Sequence, residues 1–430
     1  TPSVISYWAQ KNLSPDLALL AMTRLCLDYG VDAPQSGAKH HVLLTPRFDL
    51  RLELHGEFVS WQMSSALIIA GLPDNSKAWH YLLEHDWANH LLPATFLQVI
   101  GHAPMVAATH IFLLPALTPD WLSACQLAIR TQLDSAGNVG DAAAILAGQI
   151  FFGRASVLTS LQLGKDGFTR FVLLDHGLPS DRAARDVQRL FEIEAYRMLA
   201  MLGFPVAQTE SIQLQKIEIQ LQTIVNDMAN ARELDDDSAF NQLLHLAAEI
   251  EHCSARARFR LSASRAYHRI MLQRLSDLHL ERIDGLQKLS GFFNRRFTPA
   301  MNLCESTDAR ITDLAQRIGR AVDLARLRVE ARREASNQEV LKSLARRQRM
   351  QLQLQQTVEG LSVVAISYYA LGLVSYVAKV FKGVSLVGGR HLEPELITGF
   401  SVVPVLWLVY TMVHKVRKQL FHKETSKNNN

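Results

Sequence analysis

Ser362, Ala365, Tyr369, Gly372 and Tyr376 follow one another at alternating spacings of three and four, which puts them on one face of a helix. Small and hydroxyl-bearing side chains on one face of an apolar helix suit close helix–helix contact, or a wall that tolerates water and ions. Just upstream, Gln348, Gln351, Gln353, Gln355 and Gln356 make a neutral polar collar. It can hydrogen-bond between helices or ease the passage of a cation. Other constellations carry less chemistry. The run Asp235, Asp236, Asp237 has the charge for a hard cation, but it reads as a solvated turn and helix N-terminus. His85 and His90, in EHDWANH, are five apart where a helical metal pair wants four, so this is read as surface helix. His40 and His41 point to opposite faces of a strand. LGKDG lacks the length and the closing Lys-Ser/Thr of a phosphate loop, and no Gly-x-Ser-x-Gly occurs. The expectation is a protein that is not an enzyme.

Composition sharpens that expectation. A net charge of +4 is too small to argue for nucleic acid, and the basic residues lack interleaved stacking aromatics. Cys26, Cys125, Cys253 and Cys304 are far apart with no CxxC, so they read as isolated and reduced. The opening TPSVISYWAQKNLSPDLALL has no basic segment before its apolar part, and no signal peptide is expected.

The elements that must position the polar face are legible in outline. SPDLALLAMTRLCLDYG reads as a helix with an N-cap Ser and a Pro at its first position. HHVLLTP, FDLRLELHG, EFVSWQMSSALII and THIFLLPA read as strands, and HDWANHLL and TPDWLSACQLAIRTQLDSAG as helices. GQIFFGRASVLTSLQLGKDGFTRFVLLDHG gives two or three more strands, with Lys-Asp-Gly as a hairpin turn. Residues 1–180 are therefore expected to form a mixed α/β domain. SDRAARDVQRLFEIEAYRMLAMLGFP reads as a helix stopped by Gly203 and Pro205, and 209–233 and 237–285 as an antiparallel helical pair within 181–298. After Pro299 a stalk helix over 299–360 carries an apolar seam at Ile311, Leu314, Ile318, Val322, Ala325 and Val329.

Residues 361–378 and 396–413 hold no Asp, Glu, Lys or Arg, each long enough to cross about 30 Å of hydrocarbon as helix. They are read as spans at 361–380 and 396–414, joined by a loop at 381–395 and followed by a basic tail at 415–430. Lys342, Arg346, Arg347 and Arg349 lie before the first span, and Lys415, Arg417, Lys418 and Lys423 after the second. The positive-inside rule then expects both termini in the cytoplasm. Arg346, Arg347, Arg349, Lys415, Arg417 and Lys418 are the expected contacts to lipid headgroups.

Two resemblances follow from quoted stretches. RLFEIEAYRMLAMLGFP, ARFRLSASRAYHRIMLQRL, RRFTPAMNLCES and RRQRMQLQLQQTVEGLSVVAISYYALGLVSYV are similar to an uncharacterised bacterial family of membrane-anchored proteins of unknown function. The order of elements resembles CorA-type magnesium transporters: a cytosolic α/β domain, long antiparallel helices, and a stalk helix running into the first of two C-terminal spans. That resemblance implies an inner-membrane homo-oligomer, with a pentamer favoured, surrounded by lipid and passing Mg²⁺ or another divalent cation as transported or regulatory ion. It makes Asn337, in SNQEVLKSL, a candidate at the pore mouth, with Ser362, Ala365, Tyr369, Gly372 and Tyr376 as the lining. The Gly-Met-Asn motif of that family is absent. In its place VGGRHLEPEL offers Gly388 and Gly389 for a turn and His391, Glu393 and Glu395 for contact with a cation. The alternative expectation is an anchored scaffold or regulatory protein that conducts nothing.

Overall fold

The nine residues Ser3–Lys11 alternate between two cores, and they form the strand around which the fold is laid out. Ile5, Tyr7 and Ala9 face one core, Val4 and Trp8 the other, as the two-residue period of a strand requires. The structure is a computed structural model of the whole chain, and it describes residues 2–68, 76–116, 120–135, 144–230, 236–380 and 394–425, with backbone alone at 76, 135, 394–397 and 416–425. Contacts divide the chain into two compact units, Thr1–Arg326 and Leu327–Asn430.

In the first unit, nine strands form one mixed sheet in the order β2-β3-β4-β1-β5-β8-β7-β6-β9. They are β1 (Ser3–Lys11), β2 (His40–Leu44), β3 (Asp49–Leu54), β4 (Phe58–Ala66), β5 (Met105–Pro115), β6 (Leu146–Ile150), β7 (Ala155–Thr159), β8 (Thr169–Asp175) and β9 (Gln287–Lys288). β1 pairs antiparallel with β4 and β5, and β5 pairs parallel with β8. Helices cover both faces. On one side lie α1 (Pro15–Asp28), α2 (Ser76–Glu84), α3 (Trp87–Leu91), α4 (Ala94–Ile100) and α5 (Asp120–Ser135), around Trp8, Trp61 and Phe112. On the other lie α6 (Ser180–Met201), α7 (Gly203–Ala229), α8 (Asp236–Asp277), α9 (Leu289–Arg296) and the first part of α10 (Thr298–Val380).

The α6-side layer rests on β1, β5 and β8 through Tyr7, Ile111 and Phe171. Towards the sheet edge the same face turns polar: Asp49, Arg51 and Glu53 of β3 stand opposite Ser64, Gln62 and Ser60 of β4. The other face of these strands carries Leu50, Leu52, Trp61 and Met63 into the second core. This two-sided pattern fixes the register, because a slip of one residue would exchange the charged and buried sets.

The α/β reading of the N-terminal part and the long helix hold. The antiparallel pair α7 and α8 is present, tied by the bidentate contact of Arg256 on buried Glu210 at 3.0 Å. Asp236 and Asp237 sit in the first turn of α8, and Pro299 in the first turn of α10. Ile311, Leu314, Ile318 and Ala325 are buried in the helical core, with Val322 packed against it. Three details differ. β1 was not expected as a strand, because its two-sided burial blurs the polar alternation. α6 stops at Met201, just ahead of Gly203 and Pro205, but the next helix, α7, begins at once at Gly203 and not at 209, with Pro205 in its first turn, where its missing N–H costs nothing. Ser14 stands at the N-cap of α1 without accepting a capping hydrogen bond.

The second unit consists of α10 from Leu327 and α11 (Pro394–Thr425), which contains Pro404. Among the described residues one helical stretch, Leu289–Val380, is long and apolar enough by length and composition to cross a membrane, at a mean hydropathy of 1.7 in its best window. The two expected spans are thus shown only as one such helix, with the second apolar run lying within α11. Gly388, Gly389, His391 and Glu393 fall outside the described residues, and Glu395 is described only as backbone of α11.

Candidate functional site

The polar sheet edge and α6 enclose a groove. Its floor holds Arg51 and Gln62, and its wall is Ala184, Arg185, Gln188, Arg189 and Glu192 of α6. Arg274 of α8 completes a cavity of 470 Å³. Each arginine is held by a carboxylate. Arg51 Nη2 lies 2.6 Å from Glu53, Arg185 Nη2 donates to Asp181 at 2.6 Å, and Arg189 Nη1 donates to Asp186 at 2.8 Å. Arg274 donates to Glu192 and lies 3.5 Å from Asp277. A second cavity of 570 Å³ adjoins, sharing Gln62 and Ala184. Helical spacing explains the wall: residues 185, 188, 189 and 192 of α6 recur at three and four, on a face lateral to buried Val187 and Leu190. Near this wall Tyr196 and Tyr267 stack with centroids 5.8 Å apart, and burial raises both phenols, that of Tyr267 to about 12.

A buried cluster on β1, β5 and the turn leading into β8 has the composition of a hydrolytic triad and a different use. Ser6 Oγ lies 2.7 Å from His110 Nδ1, and His110 Nε2 lies 3.2 Å from Asp166 Oδ2. Arg170 grips the same carboxylate with two bonds of 2.8 and 3.1 Å, and Phe168 stacks on the imidazole at 4.1 Å. Asp166 only accepts, so the Nε2 proton points to it and Nδ1 accepts from Ser6. Burial lowers the His110 pKa, with Asp166 opposing. Burial would raise the Asp166 carboxyl, but His110 and Arg170 together hold it below the usual carboxylate range. Ser6 and His110 have no exposed surface, so no substrate reaches the hydroxyl. The cluster clamps three strands together.

In the second unit every residue from Glu330 to Val358 is exposed. Asn337, Ser362, Ala365, Tyr369 and Tyr376 are exposed and Gly372 half-buried. On one continuous helix these residues join Leu341, Leu344, Gln348, Gln351, Gln355 and Val358 in a seam that alternates steps of four and three throughout. Gln353 and Gln356 fall off it, so three of the five glutamines lie on the seam. The buried residues Ser367 and Ala378 lie two positions beyond Ala365 and Tyr376, on the opposite side of α10. The covered face of α10 is therefore the one turned away from the seam. Arg346 and Arg349 project away from the seam and Arg347 flanks it, all three exposed. Lys415 is exposed on α11, whereas Arg417 and Lys418 are described only as backbone.

The candidates expected from sequence thus gather on the seam, and the arginine groove was missed. Its signal was present, since RLFEIEAYRMLAMLGFP begins with Arg189 and Glu192 and ARFRLSASRAYHRIMLQRL contains Arg274. Only the fold brings them beside Arg51. Among the described residues no group of three or more His, Cys, Asp and Glu side chains is arranged to hold a metal ion. The family model described as "Protein of unknown function (DUF3422)" matches residues 1–420. No curated protein and no solved structure matches the chain.

Proposed function

For a chain that belongs to the DUF3422 family, we propose an oligomeric membrane protein in which copies of α10 meet along the Asn337–Tyr376 seam and enclose a narrow polar path for ions. The observation that carries this reading is the seam itself. It is uncovered, opposite the covered face, and it mixes Leu and Val with Asn, Gln, Ser and Tyr. Most helical stability in proteins comes from packing an apolar stripe, so an exposed seam bearing Leu and Val calls for partners, and its 3,4 repeat suits parallel copies of itself. A strict seven-residue repeat drifts about 20° per heptad on a straight helix, so the copies wind with a left hand. Large exposed apolar residues on both helices, among them Leu361, Val364, Leu373, Phe400, Val403 and Trp407, are the surface that lipid would cover. The second span at 396–414, cytoplasmic termini and inner-membrane placement belong to this proposal.

Divalent cations are the cargo implied by the resemblance to CorA-type transporters, and the off-seam placement of Arg346 and Arg349 keeps positive charge from the path. A second reading, a non-conducting anchored scaffold, is favoured by Leu341, Leu344 and Val358, which would close the axis with apolar layers.

Two measurements test this. The four native cysteines are buried, so single cysteines introduced at exposed sites report alone. Q351C and V358C should cross-link between copies in membranes, and R349C should not. Equal cross-linking at all three sites refutes the seam. Proteoliposomes holding the cross-linkable assembly should then pass Mg²⁺, Co²⁺ or Zn²⁺ in preference to Cl⁻. An assembly that passes no ion establishes the scaffold instead.

A further inference from the structure

We propose that the groove between the β3–β4 edge and α6 binds a phosphorylated small molecule bearing two or more phosphates, of the nucleotide class. Four arginines, each paired with a carboxylate, converge on the first cavity. Asp181, Asp186 and Glu53 hold three of these arginines without lining the cavity themselves. Asp186 is wholly buried and is also gripped by Arg182 at 3.0 Å, so the Arg189 guanidinium has a fixed anchor. Arginines anchored in this way keep spare N–H groups in a planar fork, the geometry that matches phosphate oxygens. A phosphate monoester presents three acceptor oxygens, so four guanidinium forks spread along this wall call for more than one phosphate.

The adjoining cavity suits the rest of such a molecule. Pro2, Pro46, Leu178 and Val187 give it an apolar side, and Thr45 and Ser64 supply hydroxyls. Ser180, the first residue of the 22-residue helix α6, lines this second cavity and adds the positive end of a helix dipole to its border. Each cavity lies within the roughly 300–1,000 Å³ of small-molecule sites. Gln62, common to both, stands where the phosphates meet the organic part.

The inference does not rest on ion conduction, because binding is read directly. Calorimetry on the full chain in detergent at low salt compares ADP, ATP, pyrophosphate and inorganic phosphate at matched ionic strength. ADP and ATP should bind saturably, pyrophosphate more weakly, and inorganic phosphate most weakly. The double variant R51A/R185A removes two part-exposed guanidiniums whose partners, Glu53 and Asp181, keep solvent access. It should weaken ADP by roughly tenfold or more, and R51K/R185K should recover part of that loss. R24A, on the opposite face of the sheet, should bind as the parent does. No saturable binding of ADP or ATP by the folded protein overturns the proposal, as does ADP affinity unchanged in R51A/R185A. ADP binding no tighter than pyrophosphate overturns the role of the second cavity.

Discussion

Replacing Gly203 by Ala tests whether the α6–α7 junction is a close-packed joint. A Cβ at Gly203 would overlap Ser264 Oγ, stand 2.9 Å from Ser264 Cβ and lie 3.5 Å from Cys304 Sγ. The hydroxyl can rotate aside, but the Ser264 Cβ is fixed by the backbone of α8. Ordinary contact therefore requires α7 and α8 to separate by roughly 0.5–1 Å, in a core packed to crystal density. Overpacking of this kind costs about 1–3 kcal/mol. Gly to Ala at a permissive helical site returns about 0.4–1 kcal/mol by restricting the unfolded chain. The net expectation for G203A is a loss of about 1.5 kcal/mol, read as a lower urea midpoint at unchanged m value. The second site sharpens the result. S264A leaves the obstructing Cβ and should rescue little, although Ser264 Oγ has no hydrogen-bond partner to lose. G203A/S264G removes that carbon and should show a coupling of about 1–3 kcal/mol. A G203A protein more stable than the parent refutes the joint, since it would mean that helix propensity alone governs the position.

Other outcomes follow from the same geometry. Glu194 is buried and grips Arg197 through two bonds, so R197A should cost about 3–5 kcal/mol by stranding a carboxylate, while E194L/R197M should cost far less by urea unfolding. Burial lowers the pKa of His55, His110 and His268, so the unfolded chain takes up protons first as pH falls below about 6.5, the unfolded histidine value. Stability should hold above that pH and decline below it, with a further loss below about 4, where Asp166 must be protonated in the unfolded chain first. A urea midpoint that rises between pH 7 and 5.5 contradicts this sign. G164A should disrupt the Asp166–Arg170 clamp, because its Cβ would run into the Arg170 guanidinium and stand 2.8 Å from Asp166 Oδ1, and thermal unfolding should reveal it.

How far the sequence carried the fold depended on whether a pattern was local. α8 and α10 announce themselves through long 3,4 spacings, and β3 through clean alternation of Asp49, Arg51 and Glu53 with Leu50 and Leu52. β1 was hidden because both of its faces are buried, leaving SVISYWAQK with little polar rhythm. Gly203 was read as punctuation, since glycine usually stops a helix, whereas here it lets one helix approach another. The Ser6–His110–Asp166 cluster spans separations of 104 and 56 residues, and no spacing rule reaches across them.

The two candidate sites differ in legibility for the same reason. The seam lies on one helix, so residue spacing alone sets its face, and the structure adds only that the opposite side is the covered one. A polar face packed inward would be internal glue, whereas a polar face left open on a helix with a covered back is what the proposed self-association needs. The arginine groove is built from β3, α6 and α8, and its four converging guanidiniums, three of them held by Asp186, Asp181 and Glu53 from outside the cavity, appear only in the fold. Counted along the chain, those arginines and carboxylates nearly cancel, as the overall +4 does. The fold keeps that balance but lines the groove with the guanidiniums and sets Asp186, Asp181 and Glu53 behind them, which leaves N–H groups for the anion proposed above.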